Sequence, residues 1–303
     1  MMSELEKVSA MRDIFERLCR AYDLGDLQGY ATLDGGTVSD VWLVMADGMY
    51  FVRTIRDAAQ GELELAITRH LFQNGFSGLP VIYPTENQEP AVEIDGVWYQ
   101  VQGMCAGQQP MVSRPGMPGR IARLVTDFLR AMEGCAVSCP VRDRFDLETV
   151  WSKYRAYWPE LDLPLTQEEA DRRVAQLLAE EPCETRLIHG DLGIWNMVET
   201  ESGDLFIVDF GDSCWGDPYY DLAAALCGIV NHSGEQARRG NAEEFLSVCR
   251  ERMAVDVDRL AGQVRLWAWR GMARCLQESN NWKEMAQKFW FAMNWMEENL
   301  HDL

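Results

Sequence analysis

The chain has 303 residues, of which 47% are hydrophobic and 25% are charged, so it is long enough for two lobes and lies outside the compositional range of disordered proteins. Its formal net charge of -20 opposes binding to nucleic acids and to anionic membranes, because both depend on clustered Lys and Arg. This charge would attract a cationic substrate, although solubility is the commoner reason for an acidic surface.

The N-terminal segment and the cysteines indicate a soluble, cytoplasmic protein. The segment MMSELEKVSAMRDIFERL is acidic and has helical periodicity, whereas a signal peptide has a basic start and an apolar run. No later segment approaches the roughly 18 uninterrupted apolar residues of a membrane span. The nine cysteines include no CxxC pair and are expected to be reduced and mostly buried.

Hydrophobic periodicity predicts that the chain begins with a sheet-rich lobe. An amphipathic helix is expected near 3–22. A three-stranded antiparallel meander is expected over 28–56, where short alternating runs are broken by DGG and ADG. A helix follows over 60–74 and ends at the Gly and Pro of GFSGLP, and two further strands are expected near 80–83 and 97–102.

Helical patterns dominate the rest of the chain. The segment CAGQQPMVSRPGMPG, residues 105–119, is rich in Gly and Pro and is predicted to link two lobes. Three helices are expected next, a strand region follows from Arg186 to Asp209, and four more helical patterns complete the chain. The three helices lie near 119–133, 146–158 and 166–180.

These elements predict an α+β protein of two lobes. The first lobe, 1–104, is expected to contain a small antiparallel sheet and one main helix. The second lobe, 105–303, is expected to be larger and mainly helical, with 105–119 as the linker.

The densest chemical signal runs from Leu187 to Leu226, LIHGDLGIWNMVETESGDLFIVDFGDSCWGDPYYDLAAAL. The apolar strand RLI enters a turn that presents Asp191, and Asn196 follows in the same loop. Asp209 closes a second strand, LFIVD, and the hairpin turn ETESGD is expected to place Asn196 and Asp209 side by side. Phosphoryl transfer requires a carboxylate for the attacking hydroxyl and oxygen ligands for magnesium, and this segment supplies both.

The motifs HGDLxxxN, hydrophobic-hydrophobic-DFGD and GDPxxDLA resemble those of the aminoglycoside phosphotransferase, choline kinase and type II homoserine kinase superfamily, which is related to protein kinases. The resemblance implies a two-lobed protein-kinase-like fold and a phosphotransferase that uses ATP and Mg2+. It also implies that Asp191 is the catalytic base and that Asn196 and Asp209 hold the magnesium.

The resemblance extends to the nucleotide-binding lobe. The segment TLDGGTVSDVWLV resembles the glycine-containing nucleotide loop of the family and implies nucleotide contacts at Gly35, Gly36 and Ser39. In the strand MYFVRTIR the family usually has a phosphate-binding lysine, whereas this chain has Arg53. The expected partner of Arg53 is Glu64, with Glu62 as the alternative.

After the strand WYQVQ, the resemblance implies that backbone groups of Gly103, Met104 and Cys105 bind adenine. Backbone recognition of this kind does not require particular side chains, so the residue types in this segment give little evidence for it.

Four polar residues near the catalytic motif are expected to have supporting roles. His189 is expected to brace the loop. Asp217 is expected to hydrogen-bond backbone in the catalytic region, and Asp221 is expected to be a helix N-cap. Asp212 could contact magnesium or substrate, or could lie in a solvated turn.

The C-terminal helices carry several tryptophans: Trp267, Trp269, Trp282, Trp290 and Trp295. An aromatic cage for a quaternary ammonium would use such residues, but core packing is the commoner reason for them.

The sequence favours a small hydroxylated acceptor over a protein. The motif GDPYYDLA follows the DFG-like Asp209 so closely that little activation segment remains to bind a peptide. Amino alcohols such as homoserine, choline or ethanolamine, aminosugars and sugar-like acceptors remain open, and the oligomeric state is open too. The alternative is a kinase-like pseudoenzyme that binds nucleotide or acts as a scaffold, and Arg53 is its best argument.

Overall fold

The computed structural model describes residues 4–33, 40–180, 182–277 and 282–303 of the chain. Their contacts divide the chain into two compact units, and each unit combines several segments. The first unit comprises Met1–Gly107, Ala136–Val141 and Thr200–Gly211, and the second comprises Gln108–Cys135, Arg142–Glu199 and Asp212–Leu303.

The described part of the first unit contains two helices and an antiparallel sheet. The strand order is β1-β2-β3-β6-β4, and β5 also pairs with β6. The predicted meander is confirmed, because β1, β2 and β3 pair in sequence. The elements are α1 (Glu4–Ala21), β1 (Gly29–Leu33), β2 (Val41–Met45), β3 (Met49–Ile55), α2 (Ala58–Gln73), β4 (Ile82–Tyr83), β5 (Val92–Ile94) and β6 (Val97–Gly103).

The core of the first unit forms where α1 packs on the sheet. Phe15, Leu18 and Tyr22 lie three and four residues apart and therefore share one face of the helix. The Phe15 ring meets Trp42 of β2 edge to face, with ring centroids 5.6 Å apart. Because these aromatic groups are buried on both sides of the contact, they hold the helix on the sheet.

The second unit is mainly helical. Its helices are α3 (Met117–Ala131), α4 (Leu147–Tyr154), α5 (Gln167–Leu178), α6 (Tyr219–His232), α7 (Glu235–Arg252), α8 (Val257–Cys275) and α9 (Lys283–Asn299). The short strands along the rest of the chain are β7 (Gly107–Gln108), β8 (Arg186–Ile188), β9 (Met197–Thr200), β10 (Leu205–Ile207) and β11 (Cys214–Gly216). Strands β8 and β11 pair in antiparallel fashion. Among the described helices, none combines the length and the apolar character needed to cross a bilayer.

The core of the second unit is built around α6, which is buried along almost its whole length and packs against α7 and α8. Trp158 and Trp269 stack in this unit with ring centroids 5.3 Å apart. The helix predicted over 146–158 ends earlier, at Tyr154. The chain continues there as a 3-10 turn that contains Pro159, which cannot donate an internal α-helical hydrogen bond.

Candidate active site

The second unit contains the loop that follows β8, and this loop presents Asp191. Ile188 and His189 are buried, and Gly190 turns the chain with a φ of 80°. A Cβ at Gly190 would overlap the carbonyl oxygen of Asp212, so both the turn and the close approach require glycine. The side chain that follows this turn is therefore held at the end of a rigid strand.

Asp221 fixes the backbone of this loop. Its carboxylate is fully buried and accepts hydrogen bonds from the backbone N–H groups of His189, at 2.8 Å, and Gly190, at 3.0 Å. The prediction that Asp221 is an N-cap is wrong, since α6 begins at Tyr219 and Asp221 lies inside its first turn. Burial raises the pKa of the Asp221 carboxyl, and the two backbone donors oppose that shift.

Asp217 hydrogen-bonds backbone, as predicted, and also forms an ion pair. Its carboxylate accepts the backbone N–H of Tyr219 at 2.9 Å and pairs with the Arg259 guanidinium at 2.8 to 3.0 Å. The backbone of the loop that presents Asp191 is bound by Asp221 and not by Asp217. Sequence reasoning missed Arg259 because it lies on α8, far along the chain.

The Asp191 carboxylate is half-buried and receives two hydrogen bonds on one oxygen. Trp195 donates Nε1–H to Oδ2 at 3.1 Å, and Asn196 donates through Nδ2 at 3.0 Å. Burial raises the pKa of Asp191 to about 6, against the lowering effect of the Trp195 hydrogen bond. Gly193 allows the Trp195 ring to reach this position, because a Cβ there would overlap the ring.

Two neighbours of Asp191 complete the loop. His189 accepts the backbone N–H of Asp191 on Nδ1 at 3.3 Å, which places it as the predicted brace. The Asn196 amide also donates to the Asp191 carbonyl at 2.9 Å. Since Asn196 donates through its nitrogen, its side-chain oxygen is the atom suited to a hard cation.

Asp212 forms an ion pair instead of lying in a solvated turn. The Arg144 guanidinium donates to Asp212 Oδ2 at 3.0 Å, and both residues belong to the second unit. The Asp212 carboxylate nevertheless contributes to the raised pKa of Asp191.

A small cavity of about 30 Å³ in the second unit contains Asp191. Arg270 and Arg274 of α8 also line it, and neither was identified from the sequence. The available signal was spacing, since Trp267, Arg270, Gly271 and Arg274 recur at the interval that places side chains on one helix face.

In the first unit, Arg53 of β3 is surrounded by acceptors. Its guanidinium donates to Glu64, to Asp209 Oδ1 at 3.0 Å and to Gln100 Oε1 at 3.3 Å. Glu64 is fully buried and also accepts Nε2 of Gln60 at 2.7 Å, so Arg53 pairs with Glu64 and not with Glu62. Burial by itself would lower the pKa of Arg53, but the carboxylates of Glu64 and Asp209 outweigh it and raise the pKa.

Asp209 adopts a left-handed backbone conformation, with a φ of 63°. Such a conformation is uncommon for a residue other than glycine and is concentrated at functional sites. The Asp209 side chain is 54% exposed, so a solvated cation can reach it. A Cβ on Gly211 would approach Gln60 Nε2 to 2.6 Å, which explains the glycine two residues later.

The segment predicted to bind adenine comprises Gly103, Met104 and Cys105. The backbone N–H of Gly103 already donates to the Val81 carbonyl at 2.7 Å. The Met104 side chain is exposed, whereas Cys105 is buried, and burial raises the pKa of its thiol to about 11. The predicted nucleotide-loop residues Gly35, Gly36 and Ser39 lie outside the described residues.

The structure therefore brings the predicted site residues together in two groups. Arg53, Glu64 and Asp209 form one cluster within the first unit. Asp191 and Asn196 form the other within the second unit. Within the described ranges, no cluster of three or more His, Cys, Asp or Glu side chains suits a metal ion.

Comparison with known proteins identifies the family and the fold. Residues 29–255 match the family model described as APH, phosphotransferase enzyme family. A comparison with curated protein sequences finds no match.

Several solved structures are similar over nearly the whole chain. Amicoumacin kinase hAmiN, in complex with AMP-PNP, Ca2+ and Ami, has 15% sequence identity and a TM-score of 0.70, with 95% of each chain covered. Spectinomycin phosphotransferase APH(9)-Ia, in complex with ADP and spectinomycin, has 12% identity and a TM-score of 0.64, with 94% of each chain covered.

A choline/ethanolamine kinase family protein from Mesorhizobium loti has 19% identity and a TM-score of 0.64, with 96% of this chain and 95% of that chain covered. At these identities the likeness concerns the fold. It confirms the predicted kinase-like fold, with an antiparallel sheet and a mainly helical portion.

Proposed function

The chain belongs to the phosphotransferase enzyme family, and we propose that it transfers the γ-phosphate of ATP, with magnesium, to a hydroxyl group of a small molecule. The family match establishes that the chain is a member of a phosphotransferase family. The nucleotide, the metal and the acceptor are the proposed part. The observation that carries the proposal is the half-buried Asp191 carboxylate, which is oriented by Trp195 and Asn196 and lines a cavity.

Asp191 is the proposed general base. A pKa of about 6 leaves this carboxylate mainly ionised at neutral pH, yet makes it a stronger proton acceptor than an ordinary aspartate. It takes the proton of the acceptor hydroxyl as the oxygen attacks the γ-phosphorus, and the bond from that phosphorus to the β–γ bridging oxygen breaks to release ADP. The hydrogen bonds from Trp195 and Asn196 hold one carboxylate oxygen, so the carboxylate has a fixed direction.

Asn196 and Asp209 are the proposed magnesium ligands. An amide oxygen and an exposed carboxylate are donors of the type that Mg2+ prefers, and water and phosphate oxygens usually complete its coordination. When bound, the ion neutralises charge on the phosphates. The Asp209 side chain is held by Arg53 through Oδ1, which fixes its orientation before an ion arrives.

Arg53 is the proposed phosphate-binding cation, and Glu64 holds it in place. The backbone segment of Gly103, Met104 and Cys105 and the loop containing Gly35, Gly36 and Ser39 are proposed to bind the rest of the nucleotide. An adenine nucleotide is supported by the AMP-PNP and ADP in the structures of the amicoumacin and spectinomycin enzymes.

We place the enzyme in the cytoplasm, where ATP and reduced thiols are both expected.

The test is a screen of hydroxylated small molecules with Mg-ATP, in which phosphorylated product is detected by mass. Asp191→Ala should lower turnover about 100- to 10,000-fold, the usual contribution of a general base, while ATP affinity is retained. Asp258→Ala is the control, because that side chain is 93% exposed. Unchanged turnover in Asp191→Ala would rule out the assignment of the base.

A nucleotide-binding scaffold is the second candidate, and one observation favours it. Arg53 stands where the family usually has lysine, and it engages Asp209, a proposed metal ligand. Calorimetric binding of Mg-ATP, together with no phosphotransfer to any acceptor and no effect of Asp191→Asn, would support the scaffold.

A further inference from the structure

The cavity at Asp191 contains two arginines, and from them we infer the chemical class of the acceptor: a small hydroxylated molecule that carries a carboxylate close to its hydroxyl. This inference rests on the proposed function. It separates hydroxy acids and hydroxy amino acids from the choline-like and aminosugar acceptors that the sequence left open.

Helix α8 brings the arginines to the cavity. Arg270 and Arg274 lie one helical turn apart, on the face that also carries Trp267 and Gly271. A Cβ on Gly271 would overlap the ring of Phe289, so the glycine allows α9 to pack closely on this face. Trp267 and Phe289 then form an aromatic wall, with ring centroids 4.7 Å apart.

Arg270 is a buried cation whose charge is compensated within the protein. It is only 9% exposed, donates to Asp143 Oδ1 at 2.8 Å and lies 4.8 Å from the ring centroid of Tyr220. Its Nε–H is nevertheless buried without a hydrogen-bond partner among the described residues. A buried unpaired donor is unfavourable, so Arg270, which lines the cavity, can accommodate a further acceptor within reach of its guanidinium.

Arg274 has fewer polar partners than Arg270. Its guanidinium lies 4.3 Å from the ring centroid of Phe145, and its Nε–H is also buried without a partner. In the parts of the chain that the structure describes, no carboxylate lies within ion-pair distance of Arg274. It also lowers the pKa of Asp191 through its charge, so the two groups share one electrostatic environment.

Two guanidinium groups line one cavity, and their positive charge matches an oxyanion better than a cation. The planar guanidinium binds carboxylates with paired hydrogen bonds, whereas an ammonium group has only donors and would repel it. The cavity volume of about 30 Å³ admits only the end of a molecule. Asp191 and the two arginines line this same small cavity, so the hydroxyl and the anionic group must lie close together in the acceptor.

The net charge of -20 does not contradict an anionic acceptor. Charges separated by more than a Debye length, about 8 Å in physiological salt, are largely screened, whereas a guanidinium within the cavity is not. Local charge therefore decides which acceptor binds. The net charge and the tryptophans left a cationic acceptor open, and neither feature reveals Arg274.

The experiment compares matched acceptors in the presence of Mg-ATP. The panel contains glycerate, 4-hydroxybutyrate, serine, homoserine and threonine, the carboxamide of each acid, the amino alcohols ethanolamine and choline, and phosphorylated alcohols such as glycerol phosphate. Product is detected by mass, and binding without turnover is measured by calorimetry with a non-hydrolysable ATP analogue. At least one carboxylate should exceed its carboxamide by about 10- to 100-fold in kcat/KM, the usual effect of a hydrogen bond to a charged group.

Variants test whether Arg274 is responsible. Arg274→Gln should reduce the acid-to-amide ratio to near one through a higher KM for the acid, with the KM for ATP unchanged, and Arg274→Lys should retain part of the ratio. Arg265→Gln, the same substitution on the same helix but outside this cavity, should leave the ratio unchanged. Thermal unfolding of each variant reports whether it folds.

The possible outcomes distinguish failure of this inference from failure of the proposed kinase function. Preference for choline or ethanolamine, preference for phosphorylated alcohols, no response to any carboxylate in turnover or binding, or an equal loss of kcat for acid and amide in Arg274→Gln would each overturn the inference. In the last case Arg274 would contact the transferred phosphate instead. Phosphorylation of uncharged acceptors only would overturn the inference but retain the proposed kinase, whereas Mg-ATP binding without any transfer would contradict the kinase itself.

Discussion

The pKa of the Asp191 carboxyl is set by its immediate surroundings. Burial raises its pKa to about 6, while the hydrogen bond from Trp195 Nε1 lowers it. Because the folded pKa lies above the ordinary value of 3.8, the proton is held more tightly than by a free aspartate. Activity that needs the ionised base should therefore rise with pH through about 6 and not through about 4.

The pH dependence of Trp195→Phe tests this account. The substitution removes the donor that lowers the pKa, so the acid limb of kcat/KM should move to higher pH. The measurement is kcat/KM against pH for the wild type and the variant. Trp215→Phe is the matched control, because that side chain is 49% exposed. A limb that stays in place or moves to lower pH would contradict the role of Trp195.

At the scale of elements, two helices of the second unit build the site. Helix α6 holds the loop that presents Asp191 through Asp221, whose two carboxylate oxygens accept two backbone N–H groups. Helix α8 supplies Arg270 and Arg274 to the cavity and also Arg259, which pairs with Asp217. Site geometry therefore depends on helices that contain none of the predicted catalytic residues.

Asp221→Asn should destabilise the protein by about 2 to 4 kcal/mol, because the amide has one acceptor oxygen and turns a donor toward a backbone donor. The measurement is the free energy of unfolding from urea titration at neutral pH. Asp258→Asn, at an exposed site, should change this free energy by less than about 0.5 kcal/mol. Stability equal to that of the wild type in Asp221→Asn would show that the buried charge costs as much as its hydrogen bonds contribute.

At the scale of the whole molecule, the excess of acidic residues over basic ones dominates the electrostatics. The chain has 48 Asp and Glu against 28 Lys and Arg, so its folded form carries considerable self-repulsion. Several arginines are engaged in ion pairs, as Arg53, Arg144 and Arg259 are. The remaining acidic groups are therefore poorly compensated.

Moderate sodium chloride should raise the melting temperature at neutral pH, because salt screens repulsion between exposed charges. The measurement is thermal unfolding followed by circular dichroism over a series of salt concentrations. The effect should shrink as the pH approaches the sequence pI of about 4.6, where the net charge vanishes. A melting temperature that falls with salt at neutral pH would indicate that the ion pairs outweigh the repulsion.

Short-range patterns in the sequence predicted many of the helices and strands and the loop that contains Asp191 and Asn196. The alternation over 28–56 predicted β1, β2 and β3, and the four helical patterns near the C-terminus correspond to α6 to α9. The motif HGDLxxxN placed Asp191 and Asn196 in one loop, where they are now hydrogen-bonded. These predictions succeeded because periodicity and loop spacing act over a few residues and need no knowledge of distant segments.

Only the tertiary structure decided which distant residues meet. The choice of Glu64 over Glu62 depended on how α2 faces β3. The role of Asp221, which binds the backbone of His189 and Gly190, depended on where α6 begins. The pairing of Phe289 with Gly271, which shapes the cavity lined by Arg274, joins two helices. Such contacts arise from side-chain packing between elements that are separated in the sequence, and one sequence carries no direct record of that packing.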